Sequence, residues 1–278
     1  MHNGYKTALT VCLILALLGA GLVGVGIALG GKPNFRLDWK NRTLLAGDAE
    51  LKTGETAPEP FTSIEIDVAT ADIEISVGDT FSVAYALDEE PVITQENGVF
   101  RLKEPPHSGI SFIGITSGGS DAYVRVTVPE GTQLDSVDLD SSTGELIVSQ
   151  VNCKTLTVDL STGEAHLIAV TADRLTADSS TGSIVLTDCA VKDAKLDVST
   201  GSIESERLTV TRSLRADAST GDVTLELCGR AADFGMNLES GTGDVTVDGK
   251  DRDDEFKSSG SIPLLVETST GDIDVTFV

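Results

Sequence analysis

Seven acidic residues stand at one position of a repeated turn, four residues before the glycine of that turn. This first row, called here the acidic ladder, comprises Asp140, Asp159, Asp178, Asp197, Asp217, Glu239 and Glu267. A second row follows the glycine directly and is partly acidic. It comprises Glu145, Glu164, Ser183, Ser202, Asp222, Asp244 and Asp272. Carboxylate oxygens at adjacent positions suit hard cations, so the acidic ladder is a candidate site for Ca²⁺ or a polycation. The favoured interpretation is a solubilising surface whose carboxylates bond to the turn backbone, Ser or Thr, because the sequence lacks the glycine-rich calcium repeat.

Acid–base catalysis is a second use that such carboxylates could have, as in β-helices that cleave polysaccharides. These carboxylates recur once per repeat, however, and do not form a unique pair. His2, His107 and His166 stand in no recognisable partner motif, and the sequence contains no nucleophile elbow, phosphate loop or metalloprotease helix. The sequence therefore predicts a noncatalytic protein without a cofactor. A polysaccharide-active β-helix enzyme is the minor alternative.

Charge and cysteine spacing argue against two further classes of protein. Acidic residues outnumber basic residues 44 to 20, and the formal net charge of -24 disfavours nucleic acid or an anionic membrane surface as a partner but is compatible with cations and cationic partners. Cys153, Cys189 and Cys228 form no CxxC pair and have no nearby histidines at zinc spacing. Each stands among apolar neighbours. We therefore expect buried, small hydrophobic side chains rather than disulfides or a metal–thiolate site.

One phrase, Asp-x-Ser-Thr-Gly followed by Glu, Ser or Asp, recurs through the C-terminal half and dictates the fold. Its glycines are separated by 19, 19, 19, 20, 22 and 28 residues. They are Gly144, Gly163, Gly182, Gly201, Gly221, Gly243 and Gly271. Such a period indicates a solenoid, in which each unit stacks on its neighbours. Glycine suits the corner because a positive φ costs little without a β-carbon, and Ser and Thr can bond to the turn backbone.

Apolar residues alternate on both sides of each glycine, with the period of a half-buried strand. Leu156, Val158 and Leu160, which precede Gly163, are an example. The residues two positions after the glycines form an apolar column of Leu146, Ala165, Ile184, Ile203, Val223, Val245 and Ile273. The predicted fold class is all-β, a parallel β-helix or solenoid of about seven or more rungs with Ser-Thr-Gly corners. Seven rungs at about 4.8 Å would form a rod of roughly 30 Å.

The residues before the regular repeats, 61–128, are predicted to begin and cap the solenoid. Segment 61–77 contains a degenerate copy of the repeat, in which Ala71 replaces the turn glycine. Strand-like runs follow at 81–87, 91–94, 99–103 and 123–128. A loop is expected at 105–121. The regular repeats then occupy residues 129–278.

Residues 8–30 carry no charge and are numerous enough to cross a hydrocarbon core of about 30 Å as a helix. A cleaved signal peptide is the alternative, since Ala28-Leu29-Gly30 is a small-x-small pattern, but signal peptides usually have shorter apolar regions. We expect an uncleaved transmembrane anchor, preceded by a short tail at 1–7 and followed by a linker at 31–60. Gly26 and Gly30 form a GxxxG pattern that could let two anchor helices pair in a homodimer.

Two signals for the membrane orientation oppose each other. Lys6 precedes the apolar stretch, whereas Lys32, Arg36, Lys40 and Arg42 follow it, and the positive-inside rule would place the solenoid in the cytosol. An N-terminal anchor before a large, acidic, Ser/Thr/Gly-rich domain instead behaves as an export signal. We expect a single-pass protein of the cell membrane with an extracytoplasmic C-terminal domain.

The repeated phrases, the N-terminal apolar stretch and the Gly30-Gly31 pair together resemble the bacterial putative-adhesin family of β-strand-repeat domains of unknown function. The likeness covers roughly residues 61–278, and the turn at Ser240-Gly241-Thr242-Gly243 departs from the phrase by one inserted glycine. The resemblance implies a single-stranded β-helix, often tethered to the membrane of Gram-positive bacteria, to which no catalytic residues are assigned.

The predicted function is a noncatalytic, membrane-anchored binding or adhesin-like module of the cell envelope. Its predicted partner is an envelope protein or a cell-wall polymer, in addition to the membrane contacted by residues 8–30. The alternative is a structural or regulatory partner of a membrane signalling complex that responds to envelope stress.

Overall fold

The computed structural model describes residues 35–38, 43–46, 51–105, 109–112 and 122–278, which fall in two compact units. The smaller unit contributes three strands: β1 Phe35–Asp38, β2 Thr43–Ala46 and β9 Gly109–Phe112. They form an antiparallel sheet with β1 in the centre.

The predicted anchor at 8–30 and the tail at 1–7 lie outside the described residues. So does most of the predicted loop at 105–121, although β9 is a strand within it. Among the residues that the structure describes, no helix is both long and apolar enough to cross a membrane.

The larger unit is an all-β solenoid. Its strands are β3 Lys52–Thr56, β4 Ser63–Thr70, β5 Asp72–Gly78, β6 Ser82–Leu87, β7 Val92–Glu96, β8 Val99–Lys103, β10 Tyr123–Pro129, β11 Gln133–Thr143, β12 Leu146–Ser149, β13 Asn152–Thr162, β14 Ala165–Ile168, β15 Thr171–Thr181, β16 Ile184–Thr187, β17 Ala190–Thr200, β18 Ile203–Thr220, β19 Val223–Leu227, β20 Phe234–Ser240, β21 Val245–Val247, β22 Lys250–Arg252, β23 Glu255–Lys257, β24 Ile262–Thr270 and β25 Ile273–Phe277. One 3-10 turn, Ala231–Asp233, precedes β20.

Each regular rung consists of a long strand, a glycine corner and a short strand, as in β13, Gly163 and β14. Long strands pair with long strands in parallel and in register, so that Asp159 lies beside Asp178. Short strands pair with short strands in the same way, so that Ala165 lies beside Ile184. The result is two parallel sheets, the long-strand sheet and the short-strand sheet, with an aliphatic core of inward-facing side chains.

The corner glycines hold the rungs together through backbone hydrogen bonds. The N–H of Gly163 donates to the carbonyl of Thr181 over 3.0 Å, and the N–H of Gly182 donates to that of Thr200 over 2.8 Å. The φ angle of Gly182 is 132°, and a Cβ atom placed there would lie only 1.7 Å from the carbonyl oxygen of Gly163. Glycine is therefore required for its φ angle and also for the close approach of one corner to the next.

In four regular rungs a second corner lies six residues after the glycine. It uses one residue in the left-handed region, and Gln150, Ala169, Asp188 and Arg207 have φ angles between 51° and 58°. A positive φ is uncommon for residues other than glycine, but a single αL residue costs only about 1–2 kcal/mol. The repeat period implies a second turn in each unit, but because these four residues share no side-chain chemistry, the sequence does not show which residue makes it.

The rungs do not stack in sequence order at the C-terminal end. The last rung in the sequence, β24 and β25, lies between the rung that ends in β19 and the rung of β20 and β21. Gly221 donates to Thr270, and Gly271 donates to Thr242, so the corner bonds follow this exchanged order. The 28-residue interval before Gly271 is long because the chain must return through the antiparallel edge strands β22 and β23.

The N-terminal end is closed in a similar way. β4 and β5 form the first rung around Ala71, whose N–H donates to the carbonyl of Thr143 over 3.0 Å. β8 and β10 add parallel strands, and β7, β6 and β3 add antiparallel ones. The buried carboxylate of Glu104 accepts a hydrogen bond from the N–H of Ala69 over 3.0 Å, beside the first corner.

The strands predicted between residues 81 and 128 are present, with ends shifted by one or two residues. The segment predicted as a linker, 31–60, contains β1, β2 and β3. Gly54 in β3 lies against the ring of Tyr85, where an added Cβ atom would be 2.4 Å from the ring. This close packing pairs β3 with β6 although its sequence is polar.

The three described cysteines are free, with Cys153 and Cys189 buried and Cys228 half-buried. Burial raises the pKa of the Cys153 thiol to about 12, with the neighbouring charge of Asp173 adding to the shift. A thiol with such a pKa stays protonated and unreactive at neutral pH. The side chains of Cys153 and Cys189 therefore act as small core residues.

Engineered cysteines can test the exchanged order of the last rungs. Thr224 and Asp274 are register partners, and Asp274 is also the partner of Thr246 on its other side. In a Cys228→Ser background, we expect Thr224→Cys/Asp274→Cys to form an intramolecular disulfide, since adjacent strands lie about 4.8 Å apart. Thr224→Cys/Thr246→Cys should not, because two rungs separate these residues by about 10 Å. Peptide mapping under non-reducing conditions distinguishes the two.

The pair Thr246→Cys/Asp274→Cys is the positive control, because these residues are neighbours in either stacking order. A disulfide between positions 224 and 246, without one between 224 and 274, would show that the rungs follow the sequence order instead.

Candidate functional site

The acidic ladder runs along the outside of the long-strand sheet, one carboxylate per rung. The structure places the residues in register in the order Asp67, Asp140, Asp159, Asp178, Asp197, Asp217, Glu267 and Glu239. The seven residues singled out in the sequence thus form one column, with Glu267 and Glu239 exchanged. Asp67, from the degenerate first rung, extends the column at its N-terminal end.

A groove of about 480 Å³ follows the ladder where each long strand bends into its glycine corner. Its walls are outward carboxylates and serine hydroxyls, four and two residues before each glycine. They are Asp140, Asp159, Asp178, Asp197 and Asp217 with Ser161, Ser180, Ser199 and Ser219. Leu160, Ser179 and Val198 lie between these positions and also line the groove. The same two functional groups therefore recur at four successive rungs, and we call this feature the acidic groove.

Three cations partly neutralise the ladder. Lys103 pairs with Asp67 at one end, and Lys195 pairs with Asp197 and lies 4.0 Å from Asp178. Arg215 bridges two rungs, at 2.6 Å from Asp217 and 3.2 Å from Glu267. All these side chains are partly exposed, so the pairs contribute little stability individually and mainly reduce the repulsion between like charges.

Asp138, Asp140 and Asp159 lie together on two adjacent rungs without an ion pair to any described residue, and we call them the acidic focus. Glu239 also has no ion pair to a described residue, but it lies at the other end of the ladder, outside the groove. Burial raises the pKa of Asp138, and the nearby carboxylates of Asp159, Glu65 and Asp140 raise it further. Burial also raises the pKa of Asp140, as do the charges of Asp67 and Asp159, and the nearby charge of Lys103 offsets only part of this shift. Negative charge is therefore least compensated at the N-terminal half of the acidic groove.

The central carboxylates of the ladder influence one another directly. Burial and a hydrogen bond with Asp197 raise the pKa of Asp178. Burial opposes ionisation of Asp197, yet hydrogen bonds with Lys195 and Asp178 hold its pKa below the usual value. Burial raises the pKa of Asp217 against the opposing effect of Arg215. Neighbouring groups of the ladder thus ionise at different pH values although their residue types are the same.

The second acidic row has a structural role in several rungs. The carboxylate of Asp72 accepts a hydrogen bond from the N–H of Glu145 over 2.8 Å. Asp222 accepts one from the N–H of Asp272, and Asp272 accepts one from that of Asp244, each over 2.8 Å. These short side chains bind the backbone of the next rung.

Inward-facing hydroxyl groups donate hydrogen bonds to the backbone carbonyls of the glycine corners. Ser240 donates to the carbonyl of Gly271 over 3.0 Å, and Thr268 donates to that of Gly221 over 3.1 Å. The buried hydroxyl of Ser179 has no hydrogen-bond partner among the described residues. This hydroxyl lies on the inward face of its strand, so it does not indicate a ligand-binding position in the groove.

The remaining candidate residues do not assemble a reactive centre. His166 is half-buried, and its Nε2 atom lies 3.3 Å from Glu164 and 3.6 Å from Glu145. His2 and His107 lie outside the described residues. Within the described part of the chain, no three His, Cys, Asp or Glu side chains are arranged to hold a metal ion. The predicted Ca²⁺ column is instead a row of carboxylates, one from each rung.

The ladder was predictable from the repeat, whereas the residues that change its local charge were not identified from the sequence. Lys195 and Arg215 precede Asp197 and Asp217 by two residues, so they share the outward face of the same strand. The period-2 rule that identified the core could also have identified these pairs. Asp138 stands at the same outward position, two residues before Asp140, and completes the acidic focus.

These features define a class of protein: an all-β solenoid with stacked glycine corners and an acidic outer groove. The chain belongs to the Toastrack DUF4097 family, whose model matches residues 61–213 and 206–276. This agrees with the resemblance to putative adhesins stated from the turn motif. Comparison with curated proteins finds no match.

Several solved structures are similar to this chain at low sequence identity. A putative cell adhesion protein from Clostridium sporogenes is 16% identical, with a TM-score of 0.37, over 82% of this chain and 100% of its own. A putative adhesin from Bacteroides fragilis is 12% identical, with a TM-score of 0.42, over 82% and 98%. A putative lipid binding protein from Parabacteroides distasonis is 15% identical, with a TM-score of 0.39, over 84% and 98%.

The raised pKa of Asp140 predicts that its charge destabilises the fold at neutral pH. A carboxyl whose pKa is higher in the folded state loses this penalty as the pH falls through that pKa. We expect Asp140→Asn to raise the melting temperature at pH 7, by an amount equivalent to roughly 0.2–1 kcal/mol per relieved like-charge pair. The gain should vanish below about pH 3.9, where the unfolded carboxyl is also protonated.

Asp173→Asn is the matched control, because a hydrogen bond from Lys192 lowers the pKa of Asp173. This variant should not be more stable than the wild type at pH 7, and any loss should shrink as the pH falls. If Asp140→Asn were destabilising at pH 7, or if its effect were independent of pH, the repulsion inferred for the acidic focus would be wrong.

Proposed function

We propose that the chain is a noncatalytic, adhesin-like binding module of the cell envelope, whose acidic groove holds a linear cationic polymer. The observation that carries this proposal is the recurrence of a carboxylate and a serine hydroxyl at successive rungs of one groove. The five carboxylates from Asp140 to Asp217 span about 19 Å at the rung spacing of about 4.8 Å.

A polymer fits this groove better than a small molecule does. A small ligand needs a few convergent polar groups in a concave, mainly apolar site, whereas this groove offers equivalent groups in a line. A repeating ligand can make the same contact at several rungs, and such contacts add up through multivalency. The acidic focus attracts amines, and the serine hydroxyls can both donate and accept hydrogen bonds. A cell-wall polymer that carries amino and hydroxyl groups combines these properties.

The arrangement of the carboxylates supports a noncatalytic role. Asp178 and Asp197 have pKa values displaced in opposite directions, which is a feature of acid–base pairs. Glycoside hydrolysis requires, however, that two carboxyl groups flank the scissile bond. Asp178 and Asp197 project from adjacent positions of one sheet face, so neither lies across the groove from the other.

We also propose that this module is tethered to the cell membrane through residues 8–30 and lies outside it. The uncharged N-terminal stretch supports the tether, and the acidic, Ser/Thr/Gly-rich composition supports the location. Both stay predictions, since residues 8–30 lie outside the described part of the chain. Digestion of the solenoid by protease added to intact, wall-stripped cells would test them, and protection until lysis would contradict them.

Calorimetric titration of the full chain with a soluble glucosamine oligomer tests the groove, because this amino sugar is cationic. We expect binding, and at least about tenfold weaker binding of the neutral N-acetylglucosamine oligomer. Asp140→Asn/Asp159→Asn should weaken binding of the glucosamine oligomer by at least about tenfold, because it removes two carboxylates of the acidic focus.

The matched control is Glu130→Gln/Glu204→Gln, which changes the net charge equally at exposed sites outside the groove. This control should bind the glucosamine oligomer as the wild type does. An equal loss in both double variants would mean that only the overall charge attracts the polymer. No binding of the glucosamine oligomer by the wild type would contradict the proposed ligand class.

A further inference from the structure

A cluster of aliphatic side chains lies on the outer face of the short-strand sheet, which is not the sheet that carries the acidic ladder. Ile147, Ile168 and Val185 form this cluster, and we call it the aliphatic patch. Ile168 is 41% exposed, and Ile147 and Val185 are half-buried. None of the three belongs to the buried core or to the residues packed against it.

The strand register places the aliphatic patch between carboxylates. One outward column runs through Glu74, Ile147, His166, Val185 and Glu204 in five successive rungs. Ile147 and Val185 are therefore about 10 Å apart, and the two glutamates at the ends are about 19 Å apart. The patch thus has an acidic residue at either end of its column.

Acidic residues also border the patch on the side of the glycine corners. Glu145 and Glu164 occupy the outward positions two residues before Ile147 and His166, and both approach the Nε2 atom of His166. Ile147 also lines a cavity of about 490 Å³ together with Tyr123 and Arg125. The patch therefore consists of aliphatic side chains around His166 and beside an aromatic ring, inside a charged rim, and apolar groups within a polar rim are common in protein-binding surfaces.

The fold does not require aliphatic residues at these positions. In the C-terminal half of the same outward column the residues are Thr224, Asp274 and Thr246, which are polar. The faces of parallel sheets are commonly covered by helices, whereas this face of the short-strand sheet carries solvent-accessible aliphatic groups. The patch is thus a local departure from an otherwise polar surface column.

We propose that the aliphatic patch is a docking surface for an amphipathic, basic-flanked helix of a partner protein. Residues i and i+7 of a helix lie about 10.5 Å apart on one face, which matches the two-rung separation of Ile147 and Val185. Of the rim carboxylates, Glu74 already pairs with Arg125 over 2.9 Å. Lysine or arginine residues beside the apolar stripe complement the other rim carboxylates, Glu145, Glu164 and Glu204. This interaction is independent of the proposed polymer ligand, because it uses the other sheet.

A helical peptide with a leucine stripe at i, i+3 and i+7 and lysines on both flanks is the probe for this surface. One leucine is replaced by photo-leucine, the peptide is illuminated with the full chain at a subsaturating concentration, and cross-links are located by mass spectrometry. We expect cross-links on β12, β14 and β16. Ile147→Thr/Val185→Thr should reduce their yield by about tenfold or more, because two apolar anchors are lost.

Three controls make the result specific. Val92→Thr/Leu265→Thr removes two outward aliphatic groups elsewhere and should leave the yield unchanged. A peptide with glutamates in place of the lysines should lose the cross-links. Glu145→Gln/Glu164→Gln should weaken them as well, which keeps the test valid if the aliphatic variant folds poorly.

Three outcomes would overturn the proposal. One is cross-linking that maps to the acidic groove rather than to the short-strand sheet. Another is an equal yield from the wild type and both the Ile147→Thr/Val185→Thr and Glu145→Gln/Glu164→Gln variants. The third is a wild-type dimer in sedimentation that Ile147→Thr/Val185→Thr converts to monomer, since the occupant would then be a second copy of this chain.

Discussion

The close approach of successive corner glycines is the constraint on which the rest of this solenoid depends. At Gly163, Gly182 and Gly201, a Cβ atom would lie within 2.1 Å of the carbonyl oxygen of the preceding corner. Only glycine leaves room for the N–H of one corner to bond to the threonine carbonyl of the next. This bond fixes the register of each strand against its neighbours. The alternation of side chains fixes it as well, because a one-residue slip would turn every inward side chain outward. The acidic ladder follows from that register, since it puts the same outward residue of each rung in one column.

The acidic ladder is a consequence of this regularity, and so is the electrostatic repulsion between its carboxylates. Stacking Asp140 and Asp159 at neighbouring positions concentrates negative charge, and the fold tolerates this because solvent reaches the carboxylates and Lys195 and Arg215 offset their neighbours. The two outer faces then differ in kind, one with repeated anionic and hydroxyl groups and the other with the aliphatic patch. At both ends the parallel stack is closed by antiparallel strands, and the C-terminal edge strand β22 is short and charged, which discourages further pairing.

Much of this architecture was predictable from the sequence because a single turn repeats with little variation. The spacing of the glycines located the corners, and counting from them located the buried column that includes Ile184 and the ladder that includes Asp178. A second turn in each repeat was predictable, but its left-handed residue was not, because residues as different as Gln150 and Ala169 adopt the same conformation there. The exchanged order of the last rungs was not predictable either. A periodic sequence shows which residues occupy equivalent positions. It does not show which rungs are neighbours when a connection is long enough to pass over one rung. The ion pairs of Lys195 and Arg215 depend on side-chain directions, which the repeat alone does not specify.

The measurement that tests this account most directly compares alanine at two glycines with positive φ. Gly182 has a φ of 132° and faces the carbonyl of Gly163, whereas Gly131 has a φ of 77° and nothing within 4 Å of the added Cβ atom. Gly131→Ala should lower the free energy of unfolding by about 1 kcal/mol, because an alanine in the left-handed region is strained although its Cβ atom has room. Gly182→Ala should cost several times more in the free energy of unfolding, because it also forces two rungs apart. Equal losses of stability for the two variants in denaturant titrations would contradict the claim that the approach of the corners holds the solenoid together.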